Sequence, residues 1–315
     1  MATSGSTNFS LNRNEIISAM LRKIRVLDPA ETASANDITT GSEALNLLVK
    51  AWQMKGLALW YHSEVVLHLE KDAQSYSLGP TGDHCCLLSD AVKTQLAVAA
   101  AASATALTVD SNTGIIASDN VGVELDDDTL HWSTQSGAPA GSTDLTLASG
   151  VASAAAIDNY VFAYTSKISR PLEIIEARLR DSNNNDEPLR IHTSEREFKA
   201  ITDKTSSGDV TDLLLVPHIG NSLLYTWPVA DNVSKRIVMT VKRVVEDFDG
   251  ASDNFDGPPE ALRALIWNGA VEIAPEYARE VTTTVAAMAT TTYQELESFY
   301  RSREPIYLMP AVRRR

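Results

Sequence analysis

The sequence predicts an α+β protein: a discontinuous helical bundle, with two helices from each end of the chain, carrying an inserted antiparallel β-sandwich or barrel-like domain and an extended C-terminal arm. Three observations predict it. Apolar residues recur at helical spacing near both termini, short β-branched runs fill the middle, and the last residues are apolar and then basic with no partner element in sequence. The predicted boundaries are 1–72 and 255–303 for the helical domain, 73–254 for the β-rich insertion and 304–315 for the arm.

Residues 13–27, RNEIISAMLRKIRVL, place Ile16, Ile17, Met20, Leu21 and Ile24 on one face, with Asn12 or Ser10 available as a cap. Residues 37–55 repeat the rhythm through Leu45, Leu47, Leu48, Ala51 and Trp52, and Gly56 stands where a helix stop belongs. From Leu59 the period changes. Runs such as 63-SEVVLHLE-70, 121-VGVEL-125, 160-YVFAY-164, 172-LEIIEARLR-180, 223-LLYTW-227 and 237-IVMTVKRVV-245 are short and separated by turn residues, which predicts antiparallel strands. Within them, 194-SEREFKAI-201 predicts one helical turn, with Ser194 and Glu197 at capping-box spacing.

Helical rhythm returns in 255-FDGPPEALRALIWNGAVEIAPEYA-278. Pro258 and Pro259 suit the first helical positions, where a missing N–H costs nothing, and Asp256 lies near the cap. Pro275 lacks the donor and clashes with the preceding turn, an interior penalty of about 3 kcal/mol, so the reading is a helix joint at Pro258, Pro259 and Pro275 and a further helix over roughly 276–300.

A formal charge of −14 and a pI near 4.9 argue against a DNA-coating or membrane-surface protein, since both need a basic face. The charge is uneven. The last fifteen residues hold five arginines against one glutamate, a net +4 that leaves −18 on the first 300. No Sec-type leader is predicted from MATSGSTNFS, and 96-LAVAAAASATAL-107 is too short to span a bilayer, so a cytosolic, soluble protein is expected.

No chemistry stands out. Cys85 and Cys86 are adjacent and cannot staple distant segments, and His84 beside them is one ligand short of a zinc site. In 124-ELDDDTLHW-132 the aspartates read as a hairpin turn. The run 249-DGASDNFDG-257 hints at a calcium loop but lacks its glycine and its twelfth-position glutamate. His62, His68, His84, His131, His192 and His218 are scattered singly, without metal or hydrolase spacing, and no phosphate-cradling glycine motif occurs. The reading therefore assigns no catalytic, cofactor-binding or metal residue. In the arm, Ile306, Tyr307, Leu308 and Met309 imply a groove on a partner, and Val312 with Arg313, Arg314 and Arg315 follows them.

The blocks NEIISAMLRKIRVL, LNLLVKAWQMKGLALW and FDGPPEALRALIWNGAVEIAPEYA resemble head-to-tail adaptor (connector) proteins of tailed bacteriophages, of the packaged-DNA-stabilisation type. The resemblance covers roughly 110 helical residues plus the arm, and the large β insertion departs from the compact adaptors. It implies a homo-oligomeric ring, commonly of twelve subunits, at the neck of the virion and assembled in the host cytoplasm. Such a ring docks beneath the portal protein, extends the DNA channel, helps retain packaged double-stranded DNA without reading its sequence, and gives tail, nozzle or fibre proteins a platform. The resemblance also implies that the arm, about Arg303 to Arg315, reaches along the portal. The competing expectation is a virion-associated cell-wall hydrolase or glycan-binding tail protein, with the β-rich part as its working domain.

Overall fold

In the computed structural model, which describes Gly5, residues 9–55 and residues 62–301, the chain is mixed α+β with several antiparallel sheets. The helices are α1 (Arg13–Lys23), α2 (Ala35–Met54), α3 (Glu195–Lys199), α4 (Leu262–Ile273) and α5 (Thr283–Arg301). Two units divide the chain. One joins the residues before His62 to those from Val245 onward, and the other is His62–Val244.

In the first unit, α1 begins with a reciprocal capping box: Glu15 N–H donates to Asn12 Oδ1 at 3.0 Å and Asn12 N–H donates to Glu15 Oε2 at 2.9 Å. Ile16, Ile17, Met20 and Leu21 are then fully buried. They fit because two partner helices present glycines. A Cβ on Gly41 of α2 would lie 2.4 Å from Ile17, and one on Gly269 of α4 would lie 2.7 Å from Met20. Helix α2 has its own capping box, Ser34 with Asp37, and buries Leu45, Leu48 and Trp52 in the same core as Leu262, Leu265, Ile273 and Leu296. Residues 245–248 lie along α2: Phe248 N–H donates to Asn46 Oδ1 at 2.9 Å, and Lys50 pairs with Asp247 at 2.6 Å.

The second unit is built from β1 (His62–His68), β2 (Ser75–Leu78), β3 (Cys85–Leu87), β4 (Val92–Gln95), β5 (Ala106–Thr108), β6 (Asn120–Glu124), β7 (Leu130–Thr134), β8 (Asp144–Thr146), β9 (Tyr160–Tyr164), β10 (Pro171–Arg180), β11 (Asp186–Pro188), β12 (Arg190–His192), β13 (Asp212–Val216), β14 (Ser222–Trp227) and β15 (Arg236–Arg243). Five strands run in the order β11-β10-β15-β1-β3 and four in the order β12-β13-β14-β2, with β12 and β13 parallel. One face of the five-stranded sheet, through Val65, Leu67, Ile237 and Met239, shares a hydrophobic cluster with Tyr76, Leu78, Leu213 and Leu224 of the four-stranded one. The two cysteines of β3 alternate across the sheet, Cys85 entering that cluster and Cys86 joining Val66, Val238 and Tyr164 on the opposite face.

A second four-stranded sheet, β4-β9-β6-β7, and the two-stranded β5-β8 enclose another core. This lobe repeats itself. The segments 105-TALTVDS-111 and 143-TDLTLAS-149 share the pattern T-x-L-T-[V/L]-x-S, and 119-DN-120 is echoed by 158-DN-159. Their contacts correspond: Val109 N–H donates to Thr143 O at 2.8 Å while Leu147 N–H donates to Thr105 O at 2.7 Å, and the bridge Leu96↔Val109 is matched by Gln135↔Leu147. Positive φ falls at matching places before each motif, Ser103 and Gly141. The β6–β9 pair sits between β7 and β4, so each half supplies one inner and one outer strand.

Several details differ from the sequence reading. The units divide before His62 and before Val245, each ten residues or so earlier in the chain than the expected 73–254 insertion, because β1 pairs with both β15 and β3 while Val245 and Phe248 enter the helical core. Helix α5 starts at Thr283, since Ala278 adopts a left-handed conformation (φ 49°) and Arg279 N–H closes onto Ala274 O at 3.1 Å. Ser194 makes no capping bond, and the Glu197 carboxylate lies instead 3.8 Å from His192 Nδ1.

Candidate functional site

The residues singled out in the sequence fall in three places. Ile306, Tyr307, Leu308, Met309, Val312 and Arg313–Arg315 lie outside the described residues. Pro258 and Pro259 open α4 through a single 3-10 turn, Pro259–Ala261, with the Pro258 backbone extended. Pro275 lies in a second 3-10 turn, Ala274–Tyr277, directly after α4. The chain therefore turns between α4 and α5, and Tyr277 Oη fastens the turn to α2 by donating to Asp37 Oδ1 at 2.6 Å. That bond, with the Ser34 hydroxyl, holds the Asp37 carboxyl below the usual carboxylate range.

Two helix surfaces of the first unit face solvent with unusual chemistry. On α2, Leu47 and Met54, two turns apart, are 66% and 89% exposed, with exposed Ala51 between them. On α5, exposed Ala286, Ala287, Thr290, Thr291 and Gln294 form a face of small or uncharged side chains, and no Asp, Glu, Lys or Arg occurs between Glu280 and Glu295. A solvated helix face usually carries charge. Asn268 of α4 ties the two last helices together by donating to Ala289 O at 3.2 Å.

The acidic segment 246–256 is occupied with its own folding. Asp253 Oδ2 accepts from Gly250 N–H, and Asp256 Oδ2 accepts from Glu246 N–H at 3.0 Å. In 124–132 the three aspartates do form the β6–β7 turn, with Asp128 at φ 61° and Asp127 Oδ1 accepting from Thr129 N–H at 3.1 Å. Among the described residues no group of three or more His, Cys, Asp or Glu could hold a metal ion. None of their helices is long and apolar enough to cross a membrane.

The histidines that looked scattered are partly gathered. His68 and His84 meet Trp132, Phe162 and Tyr164: the His84 ring stacks on Trp132 with centroids 3.7 Å apart, its Nδ1 lies 2.6 Å from Tyr164 Oη, and His68 packs 4.8 Å from Phe162. Burial lowers the His68 pKa to about 3, with Arg236 and His84 adding to the effect, and lowers that of His84 to about 4, with Lys167 adding to it. Both rings are neutral at pH 7. Burial also raises both thiols, Cys86 to about 12, so neither is a ready nucleophile. Separately, His192 Nε2 lies 2.6 Å from Asp212 Oδ1, and Thr211 Oγ1 donates to Asp212 Oδ2 at 2.7 Å. This is a His–carboxylate pair, but among the described residues Nδ1 has no hydrogen-bond partner and faces Glu197 rather than a hydroxyl or thiol. Neither gathering had a signal in sequence, because strands far apart along the chain bring the residues together.

No family model and no curated protein matches this chain.

Proposed function

We propose that the protein is a structural head-to-tail adaptor of a tailed bacteriophage. Twelve copies form a ring beneath the portal, extend the DNA channel, help retain the packaged genome and present a platform to tail, nozzle or fibre proteins. In this reading the first unit is a ring-forming helical bundle, the second is an inserted β-sandwich that faces the tail, and the arm from Ile306 to Arg315 seats on the portal. The protein works by assembly and carries out no reaction.

One observation carries the proposal beyond the sequence resemblance. Helices from both ends of the chain fold into one unit that shows solvent an apolar pair on α2 and an uncharged face on α5. Two unlike faces on one subunit are what a heterologous ring contact needs, and repetition around a closed ring turns weak contacts into avidity. The acidic body suits a conduit, since like charge discourages lasting contacts with passing phosphates.

The test mixes the protein with portal rings and counts subunits by electron microscopy, with and without residues 304–315. The expected result is a docked ring for the full chain and no docking for the truncated one, whose fold by circular dichroism stays unchanged. Equal docking of the two would sink the role given to the arm. A hydrolase is the rival reading, and clearing of peptidoglycan in a zymogram by a protein that stays monomeric beside portal would favour it.

A further inference from the structure

Three potentially cationic side chains share one row across the five-stranded sheet. Arg180 of β10 and His68 of β1 are the register partners of Arg236 on β15, and the row lies on the same face as Val66 and Val238, away from the Leu67–Met239 cluster. The three fare differently. Arg180 makes a bidentate pair with Asp186 at 2.7 and 2.8 Å, and His68 is neutral. Arg236 is 6% exposed, its Nε is sealed from solvent, and among the described residues it has neither a hydrogen-bond acceptor nor a carboxylate partner. It packs on the face of Phe162, with Cζ 5.4 Å from the ring centre.

A buried guanidinium without a counter-charge is costly and uncommon. A second cation stands nearby. Lys93 of β4 lies 4.0 Å over the ring of Tyr160, which stacks 6.2 Å from Phe162 on the same strand, and Lys93 donates to Ser182 O at 2.7 Å. Lys93 is the register partner of Phe162, the ring that Arg236 covers, and its pKa is lowered by burial and next by the Arg236 charge. Two carboxylates also act on Lys93, but among the described residues neither bonds to it or to Arg236: Glu124 accepts from Tyr160 N–H at 2.9 Å, and Asp181 accepts from Asn183 and Asn185 N–H, each at 2.8 Å.

We propose that Arg236 and Lys93, beside the rings of Phe162 and Tyr160 on the Val66–Val238 face of the five-stranded sheet, form a binding site for a small inorganic oxyanion, phosphate or sulfate. A tetrahedral oxyanion takes the planar fork of an arginine and the point charge of a lysine together. A polymeric phosphate such as DNA is excluded by the surroundings, because residues 94–164 contain eight acidic residues and no lysine or arginine.

The experiment measures the thermal midpoint of the full chain in phosphate, sulfate and chloride at matched ionic strength, for wild type, Arg236→Met and Lys93→Met. Phosphate and sulfate should each raise the wild-type midpoint by about 3 °C over chloride; the rise should vanish in Arg236→Met and shrink in Lys93→Met. An equal midpoint in all three salts, or an undiminished rise in Arg236→Met, overturns the site. A short DNA duplex in place of phosphate should give no rise, and a rise equal to that of phosphate overturns the restriction to small anions. Should Arg236→Met not fold, 31P line broadening of phosphate by the wild type, reversed by sulfate, supplies the reading; unbroadened lines refute the proposal.

Discussion

Single residues decide how tightly the helices cross and how the β unit answers acid. Gly41 is an ordinary residue for a helix only in the sense of being missing a side chain: alanine there would gain up to about 1 kcal/mol of helix propensity. The built Cβ, however, would lie 2.4 Å from Ile17, which is fully buried and has nowhere to move. Overpacking wins, so Gly41→Ala should destabilise the protein by about 1–3 kcal/mol in urea melts. A stabilising effect would show that α1 can retreat without loss. His68 makes the second case. Its pKa falls from the ordinary 6.5 to about 3 on folding, so between those values the unfolded chain binds the proton and the native one does not. Stability from this residue is complete above pH 6.5 and is lost as the pH falls from there toward 3. His68→Phe, which also removes two ring nitrogens that have no hydrogen-bond partner among the described residues, should flatten that slope in chemical denaturation between pH 7 and 4. An unchanged slope would assign the acid sensitivity to other groups.

At the scale of elements, the joint after α4 is set by more than a proline. Pro275 ends the regular ladder, Ala278 turns the chain left-handed, and Tyr277 anchors the turn on Asp37 of α2. Tyr277→Phe keeps the ring and removes the bond. The expected cost is about 1 kcal/mol, read as a lower urea midpoint, since the Asp37 side is solvent-screened. The paired halves of the lobe make another prediction. Leu107 of β5 and Leu145 of β8 are register partners, occupy matching places in the repeat and are both buried. Leu107→Ala and Leu145→Ala should cost alike, about 2–4 kcal/mol each, and a difference larger than 1 kcal/mol or so would mean that the halves have lost their equivalence.

For the whole molecule, the proposed ring depends on the uncharged face of α5 meeting the apolar pair on α2 of a neighbouring copy. Met54→Glu combined with Thr291→Glu sets like charges on the two facing surfaces and leaves both core faces untouched, because these positions are exposed. The double variant should stay folded and monomeric and fail to form rings under the portal, as judged by analytical centrifugation and electron microscopy. Rings of normal size from that variant would place the subunit contact elsewhere on the chain.

Much of the helical unit was legible because its signals are local. Asn12 with Glu15, Ser34 with Asp37, the apolar stripe from Ile16 to Leu21, and the prolines at 258, 259 and 275 each act within about a turn of themselves. Short apolar runs likewise announced strands. The tertiary structure alone decided their partners, since β-pairing is set by contacts distant in sequence: β1 lies beside β15 some 170 residues later, and β12 runs parallel to β13. That is why His68, His84, Trp132 and Arg236 gave no sign of one another, and why the repeat of TALTVDS in TDLTLAS acquires meaning only when Val109 and Leu147 exchange their hydrogen bonds with the opposite halves. Local chemistry dictated where elements begin and end; burial of faces shared by remote strands determined which charges were left without partners.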